Sequence, residues 1–443
     1  MKSNPDKEQI INKAIKFHLQ GNIKEATKYY QYCINNGFEN HTVFSNYGAI
    51  LKNLGNLKEA ELYTRKAIEL NPNYANAFSN LGLILRDLGK LKEAELYTLK
   101  AIELNPNNAN AFFALSTLKL SYENKIWRDK LFSENLLNNQ SREDKVNIYF
   151  ARANILHKER KYEESSKYLQ LANNLALQVN PYNSFSFINK SLALLDECYK
   201  ESMIQKENTK CPQCIFIVGM PRSGSTLLES IITMNNNVDD LGEINILEES
   251  FLQYKKYKSK TNLAELYWKK VNLKTKLNIS TNKWLYNYQY TGIIASHIPN
   301  ARIIHCFRNP LDNILSIYRA NFTSGNEYSS SLVDSAKVYL NQEEVMTQYK
   351  KKFSTKIYDL NYDELVSNPN KEIKSLISWL GWEWNDQYLS PHLNPRSVTT
   401  ASNVQVRSPI NTKSLGGWKN YKKMLRTAME IITQNNKYKE LKY

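Results

Sequence analysis

Two short, mostly apolar runs interrupt an otherwise polar chain, Ile215–Val218 and Ile303–Phe307. Runs this short and this apolar predict strands buried on both faces, as in a parallel sheet. Each is followed by a turn and a helical pattern. After the first, Gly219 breaks the run and 225–232 resumes with helical spacing. After the second, Arg308 stands at the strand's C-terminal end and Pro310 opens a helix at the first-turn position that proline favours. Between them, Tyr288 to His297 reads as an amphipathic segment, and upstream Phe187 to Glu201 reads as a helix ahead of a polar linker, Gln205 to Lys210. No window approaches 18 uninterrupted apolar residues, so no membrane-spanning helix is expected.

The first 120 residues repeat. Gly21, Gly55 and Gly89 are equally spaced, as are Ala26, Ala60 and Ala94, and Pro72 and Pro106 close two near-identical runs, Lys-Ala-Ile-Glu-Leu-Asn-Pro-Asn. Gly48, Ala60, Ala67 and Pro72 fall where the tetratricopeptide pattern places its small residues and its terminal proline, and Gly82, Ala94, Ala101 and Pro106 repeat that spacing. Small residues let two helices cross closely, and proline ends the second. This stretch resembles a tetratricopeptide array. A further helix pair runs from about Val146 to Leu177, with Ala153, Ser165 and Ala172 at the small positions. Such arrays bind proteins or peptides on one face, so a protein partner is expected. The plainer alternative is support of the neighbouring domain or of an oligomer such as a homodimer.

A chain of 443 residues suffices for two or three domains. The expected division is 1–120 for the repeats, 121–209 for a partly repeat-like helical extension and linker, and 210–443 for an α/β domain. The net charge of +16 is compatible with anionic ligands, nucleic acid or membrane surfaces. Its lysines are scattered, and no basic run marks a nucleic-acid arm, so neither nucleic acid nor membrane is expected as a partner. Five cysteines are too few for a disulfide framework, and Met1 to Asp6 carries no apolar leader segment. A cytoplasmic location is the resulting expectation. Cys211-Pro-Gln-Cys214 precedes a strand, and no second pair or His pair completes a zinc site, so the two cysteines read as coincidental.

The chemistry begins in Ile215-Phe-Ile-Val-Gly-Met-Pro-Arg-Ser-Gly-Ser-Thr-Leu-Leu-Glu229. A strand, a glycine turn and a helix N-terminus converge unpaired N–H groups and the positive helix dipole on one point, an anion site. Gly219 and Gly224 match the Walker A spacing, but Ser225 stands where that loop requires Lys. Arg222 supplies a cation inside the loop, with a fork suited to phosphate or sulfate oxygens. The bland reading is an ordinary βα turn. Asp239, Asp240 and Glu243 follow some twenty residues on, where the next turn of a doubly wound fold returns to the ligand edge. Arg308 and Ser316, two turns into the second helix, fit a second oxyanion.

Gly-Met-Pro-Arg-Ser-Gly-Ser-Thr-Leu together with Cys-Phe-Arg-Asn-Pro-Leu-Asp and Ser316 resembles the two signature segments of sulfotransferases that use 3′-phosphoadenosine 5′-phosphosulfate (PAPS). The likeness is to the tyrosylprotein-sulfotransferase-like branch, including bacterial proteins with tetratricopeptide repeats ahead of the catalytic domain, and it covers about residues 210–425. The resemblance implies an α-solenoid followed by a P-loop-like three-layer α/β/α domain with a parallel sheet. It implies that Arg222, Ser223, Gly224, Ser225 and Thr226 cradle the 5′-phosphosulfate and that Arg308 and Ser316 bind the 3′-phosphate. Glu243 is similar to the family's general base, and Lys283, in Thr-Asn-Lys, to a lysine supporting the transferring group. Tyr362 matches an aromatic residue near the adenine, Ser402 a serine touching the reacting sulfate, and Arg407 and Lys413 are nearby cations for the nucleotide.

Sulfuryl transfer is an in-line displacement in which positioning and charge stabilisation dominate. PAPS is already activated, so no metal is expected, and no Asp/His cluster with metal-ligand spacing appears in the sequence. The acceptor hydroxyl is left open among peptide tyrosine, glycan and small metabolite. The rivals are a P-loop nucleotide kinase or hydrolase, which needs a Walker lysine, and a repeat scaffold with an inactive transferase domain.

Overall fold

The computed structural model describes residues 7–118, 125–182, 184–200, 212–256, 262–322, 325–398, 400 and 402–442. The polar linker 205–210 and Cys211 lie outside them. Two compact units emerge, one of residues 1–172 with 396–405, the other of residues 173–395 with 406–443. Helix Ser184–Lys200, which the sequence placed in the helical extension, thus belongs with the second unit, where Leu194 and Cys198 enter its core.

In the first unit, antiparallel-type helix pairs repeat as the spacing predicts: His41–Asn53 with Leu57–Leu70, and Ala75–Asp87 with Leu91–Leu104. The small residues sit where the helices cross. A Cβ on Gly48 would lie 2.2 Å from Thr64 Oγ1, and one on Gly82 would lie 2.2 Å from Thr98 Oγ1. Ala60, Ala67, Ala94 and Ala101 are fully buried. The later pair, Arg142–Lys158 and Tyr162–Val179, uses the same device, with Ser165 Oγ donating to the carbonyl of Ala153 at 2.8 Å.

The segment 396–405 packs onto these repeats through Asp87. The Val398 N–H donates to the Asp87 carbonyl at 3.1 Å, and Asn403 Nδ2 donates to Asp87 Oδ1 at 2.5 Å. Asp87 is fully buried and also meets Arg86 at 3.0 Å and Lys52 at 3.5 Å.

The second unit holds a five-stranded parallel sheet: β1 (Gln213–Gly219), β2 (Val238–Asp240), β3 (Ile279–Asn282), β4 (Ala301–Phe307) and β5 (Ile357–Asn361), in the order β2-β3-β1-β4-β5. Central strand β1 alternates between two cores. Cys214, Phe216 and Val218 pack with Tyr267, Ile293, Ile294 and Tyr349. Ile215 and Ile217 pack with Leu228, Ile231, Leu376 and Ile377 on the opposite face. Burial on both faces is why β1 carries no alternating polar positions.

One sequence expectation changes here. Tyr288 to His297 is not amphipathic: every residue of it is buried, with a 3₁₀ turn Leu285–Tyr290 running into helix Thr291–His297. Its polar groups are satisfied internally, Gln289 Nε2 donating to Ser191 Oγ at 2.8 Å and the Gln289 carbonyl accepting from Tyr349 Oη at 2.9 Å. Cys214 is a buried free thiol 3.0 Å from Tyr267 Oη.

Candidate active site

The chain runs from β1 towards β2 on one side of the sheet and crosses from β3 to β4 on the other, so the C-terminal ends of β1 and β4 flank a topological switch point. Parallel sheets bind ligands there. The loop after β1 is shaped by two glycines. A Cβ on Gly219 (φ +139°) would lie 2.2 Å from the Cys306 carbonyl oxygen of β4, and one on Gly224 (φ +97°) would lie 2.2 Å from Tyr362 Cδ2. Helix Ser225–Ile232 starts at Gly224, its first ladder bond being Leu228 N–H to the Gly224 carbonyl. The amides ahead of Leu228 therefore lie outside the helix's own ladder. The Ser223 hydroxyl is buried and has no hydrogen-bond partner.

Arg222 sits in the loop with a left-handed backbone, φ +66°. Its Nε donates to Ser316 Oγ at 3.1 Å, across to the helix Pro310–Tyr318 that follows β4. Burial, then the neighbouring charges of Arg308 and Arg319, pulls its guanidinium down to about 10. Three cations facing one another is an arrangement that an anion relieves.

Arg308 is buried at the end of β4. It donates through Nη2 to the Ser414 carbonyl at 2.8 Å and stacks 4.7 Å from the Tyr362 ring centre. Its Nε has no hydrogen-bond partner. The sequence placed Ser316 beside Arg308; the structure joins Ser316 to Arg222, so the two arginines converge from opposite sides of the switch point. Tyr362 Oη also meets Ser414 Oγ at 2.8 Å. A cleft of about 400 Å³ opens beside Arg308, lined by Asn309, Asp312, Asp363, Gly416 and Trp418 among others. Within it the Asp363 carboxylate accepts from the Asn309 N–H at 2.6 Å, and burial raises its pKa despite Arg308.

Glu243 and Lys283 meet at the ends of β2 and β3. Two backbone bonds align their loops, Leu241 N–H to the Thr281 carbonyl and Lys283 N–H to the Gly242 carbonyl, each 3.0 Å. Lys283 Nζ then lies 2.6 Å from Glu243 Oε1. Lys283 is 1% exposed and Glu243 is 45% exposed, so the lysine is buried while the carboxylate faces outward. β3 lies beside β1 in the parallel sheet, so the pair stands at the same strand edge as the Arg222 loop.

Three further expected residues make contacts of their own. Ser402 belongs to the segment held on the repeats, its N–H bonded to Thr400 Oγ1 at 3.3 Å. Arg407 Nη1 donates to the Asn394 carbonyl at 2.7 Å, bracing a loop under helix Ser225–Ile232. Lys413 is exposed, and its N–H bonds Asn411.

Sequence reasoning missed the groups that hold the site together. Asn313 Nδ2 donates to the Pro221 carbonyl at 2.9 Å, tying the β1 loop to the helix after β4. Asp312 accepts from Gly416 N–H at 2.7 Å and Trp418 N–H at 2.9 Å, pinning the stretch that carries Ser414. Asp312 stood in the motif Arg-Asn-Pro-Leu-Asp, but nothing local marked its distant backbone partners.

Residues 257–386 match the sulfotransferase family, while residues 41–74, 75–108 and 146–178 each match a tetratricopeptide repeat. The chain thus joins segments that match tetratricopeptide repeats to a segment that matches the sulfotransferase family. An uncharacterized protein of Aquifex aeolicus (strain VF5) is 28% identical over 335 residues, covering 69% of this chain and 44% of that protein. The chain thus spans less than half of that relative's length. Among solved structures, the sulfotransferase domain of the Synechococcus PCC 7002 olefin synthase matches at 16% identity and TM-score 0.37, covering 51% of this chain and 98% of that one. A mouse sulfotransferase complexed with PAP matches at 18% identity and TM-score 0.33, covering 56% and 90%. Pseudomonas aeruginosa pilF matches at 15% identity and TM-score 0.32, covering 61% and 97%. The family match begins after the Arg222 loop, so the loop, Glu243 and their geometry rest on the structure. Among the described residues, no helix of the sulfotransferase domain or the repeats is long and apolar enough to cross a membrane.

Proposed function

We propose that the protein transfers the sulfuryl group of PAPS to an acceptor hydroxyl, with Glu243 as the proton acceptor. The observation that carries this reading is the Glu243–Lys283 contact of 2.6 Å at the same strand edge as Arg222 and Arg308. The residues present fit such a donor: the buried Ser223 hydroxyl and Arg308 Nε lack hydrogen-bond partners, Arg308 meeting Asp312 and Asp363 only at 3.9 Å, and the two glycines of the loop leave no room for side chains. PAPS, when bound, supplies a sulfuryl group already activated by its phosphate leaving group.

Arg222, Ser223, Gly224, Ser225 and Thr226 would hold its 5′ end. Arg308 and Ser316 would hold the 3′-phosphate, and Tyr362, already stacked on Arg308, would flank the adenine. Lys283 would meet the charge that grows on the transferring group, which is worth most in a dry site. Glu243, outward-facing, would take the acceptor proton from within hydrogen-bond reach. Ser402 would touch the reacting sulfate, and Arg407 and Lys413 would act as nearby positive charge for the nucleotide. The acceptor would be a protein tyrosine, with a glycan hydroxyl or a small metabolite as the alternatives. The repeats would bind a protein partner, in keeping with their class, and the protein would act in the cytoplasm.

The test is mass spectrometry of peptide and glycan libraries incubated with protein and PAPS. The expected result is addition of one SO₃ to a tyrosine, lost in the Glu243→Gln variant. Loss of sulfate from PAPS at the rate without protein, with no library member modified, would overturn the reading.

A further inference from the structure

Lys283 faces a second carboxylate that the proposed chemistry leaves unused. Glu229, on the inner face of helix Ser225–Ile232, is 1% exposed, and its Oε2 lies 3.7 Å from Lys283 Nζ. Its other oxygen, Oε1, accepts from Thr281 Oγ1 at 3.0 Å, within β3 and two residues before Lys283. The lysine is therefore shared between an outward carboxylate, Glu243, and an inward one anchored by a buried hydroxyl.

A buried ammonium without a partner costs several kcal/mol. If Glu243 were its only counter-charge, Lys283 could not turn to an anion without releasing that partner, and Glu243 could not act as a base while neutralising the lysine. Glu229 removes the conflict. Resting on the reading of Lys283 as a donor-binding group, we propose that Glu229 is a positioning residue. Paired to Lys283 in every state, it lets the lysine move from Glu243 to the sulfuryl end of the donor and so frees Glu243 to accept a proton. Glu229 itself touches neither donor nor acceptor.

The test separates recognition of the sulfuryl group from recognition of the nucleotide. Dissociation constants for PAPS and for 3′,5′-ADP are measured by calorimetry on the full chain, wild type against Glu229→Gln, Thr281→Val and Lys283→Met. Their ratio isolates the sulfuryl contact, and a loss of folding or loop shape would weaken both ligands alike. Lys283→Met is expected to weaken PAPS relative to 3′,5′-ADP by about tenfold, the size of one charge-assisted hydrogen bond. Glu229→Gln is expected to reproduce most of that change in ratio, and the milder Thr281→Val part of it, so the proposal stays testable if Glu229→Gln misfolds. A changed ratio in Lys283→Met with an unchanged ratio in both other variants would overturn it. Wild-type protein that binds neither nucleotide would instead overturn the underlying reading of the site.

Discussion

Arg222 Nε donates a hydrogen bond to Ser316 Oγ at 3.1 Å, joining residues 94 positions apart across the switch point of the sheet. The bond aims the loop arginine across the switch point. A hydrogen bond to a charged group is worth about 1.5–3 kcal/mol, so Ser316→Ala should weaken 3′,5′-ADP binding by about 10- to 100-fold. Binding of 5′-AMP, which lacks the second phosphate, should be weak in both proteins. Thermal-shift titration checks this, since stabilisation follows affinity by mass action. Equal shifts from the two nucleotides in the wild type would remove the 3′-phosphate site.

Arg222 itself should cost the ligand-free fold stability. Burial, with Arg308 and Arg319, lowers its folded pKa to about 10, below the ordinary arginine value. A cation whose pKa is depressed by folding destabilises the native state at all pH below the folded value, and the penalty fades as pH rises above about 10 towards the ordinary arginine value. At neutral pH, Arg222→Met should therefore melt at the wild-type temperature or above it without ligand, yet lose stabilisation by 3′,5′-ADP. Melting curves with and without nucleotide decide the matter.

Glu243→Gln keeps the size of the side chain and removes its basicity. General-base catalysis is typically worth about 10²–10⁴-fold, so kcat should fall by that factor while 3′,5′-ADP affinity changes little. Steady-state kinetics on the acceptor found by mass spectrometry supply the number. A near-normal kcat, beside an inactive Asp239→Asn or Asp240→Asn, would reassign the base.

The two loop glycines should differ in what they tolerate. Gly219→Ala meets the backbone carbonyl of Cys306, which cannot move without breaking the β1–β4 ladder, whereas Gly224→Ala meets the ring of Tyr362. Both positions have positive φ, a strain of roughly 1–3 kcal/mol for alanine. Gly219→Ala should lower the unfolding free energy more. Gly224→Ala should fold but bind nucleotide poorly, because Tyr362 is pushed off Arg308. Denaturant titration and calorimetry measure the pair.

Asp87 should matter to the repeats and to residues 396–405 together. Removing it leaves Arg86, Lys52 and Asn403 without their shared acceptor. Asp87→Ala is expected to destabilise the repeat unit by about 2–4 kcal/mol. It should also open a new site of limited proteolysis within 396–405, mapped by mass spectrometry of the fragments.

The repeats were legible in the sequence because their physics is local. Each helix pair needs small residues at a fixed spacing and proline at its end, and Gly48, Gly82, Ala60 and Ala94 stand where the helices cross. Strands β1 and β4 were legible for a similar reason, since burial on both faces leaves an apolar run. Arg222 and Arg308 were legible because each stands in the turn that follows an apolar strand run, whereas Glu243 and Lys283 were legible only through the resemblance of Leu-Gly-Glu and Thr-Asn-Lys to the sulfotransferase pattern. Tertiary structure alone decided their partners. It linked Ser316 to Arg222 rather than to Arg308, put Ser402 on a segment held by the repeats, and set Glu229 behind Lys283. Those outcomes depend on how five strands order themselves in a sheet, and contacts between strands far apart in the chain leave no periodic signal in the sequence. The segment from Tyr288 to His297 shows the same limit: its polar residues suggested a solvent face, but buried partners on helices Ser184–Lys200 and Leu332–Lys352 satisfy them.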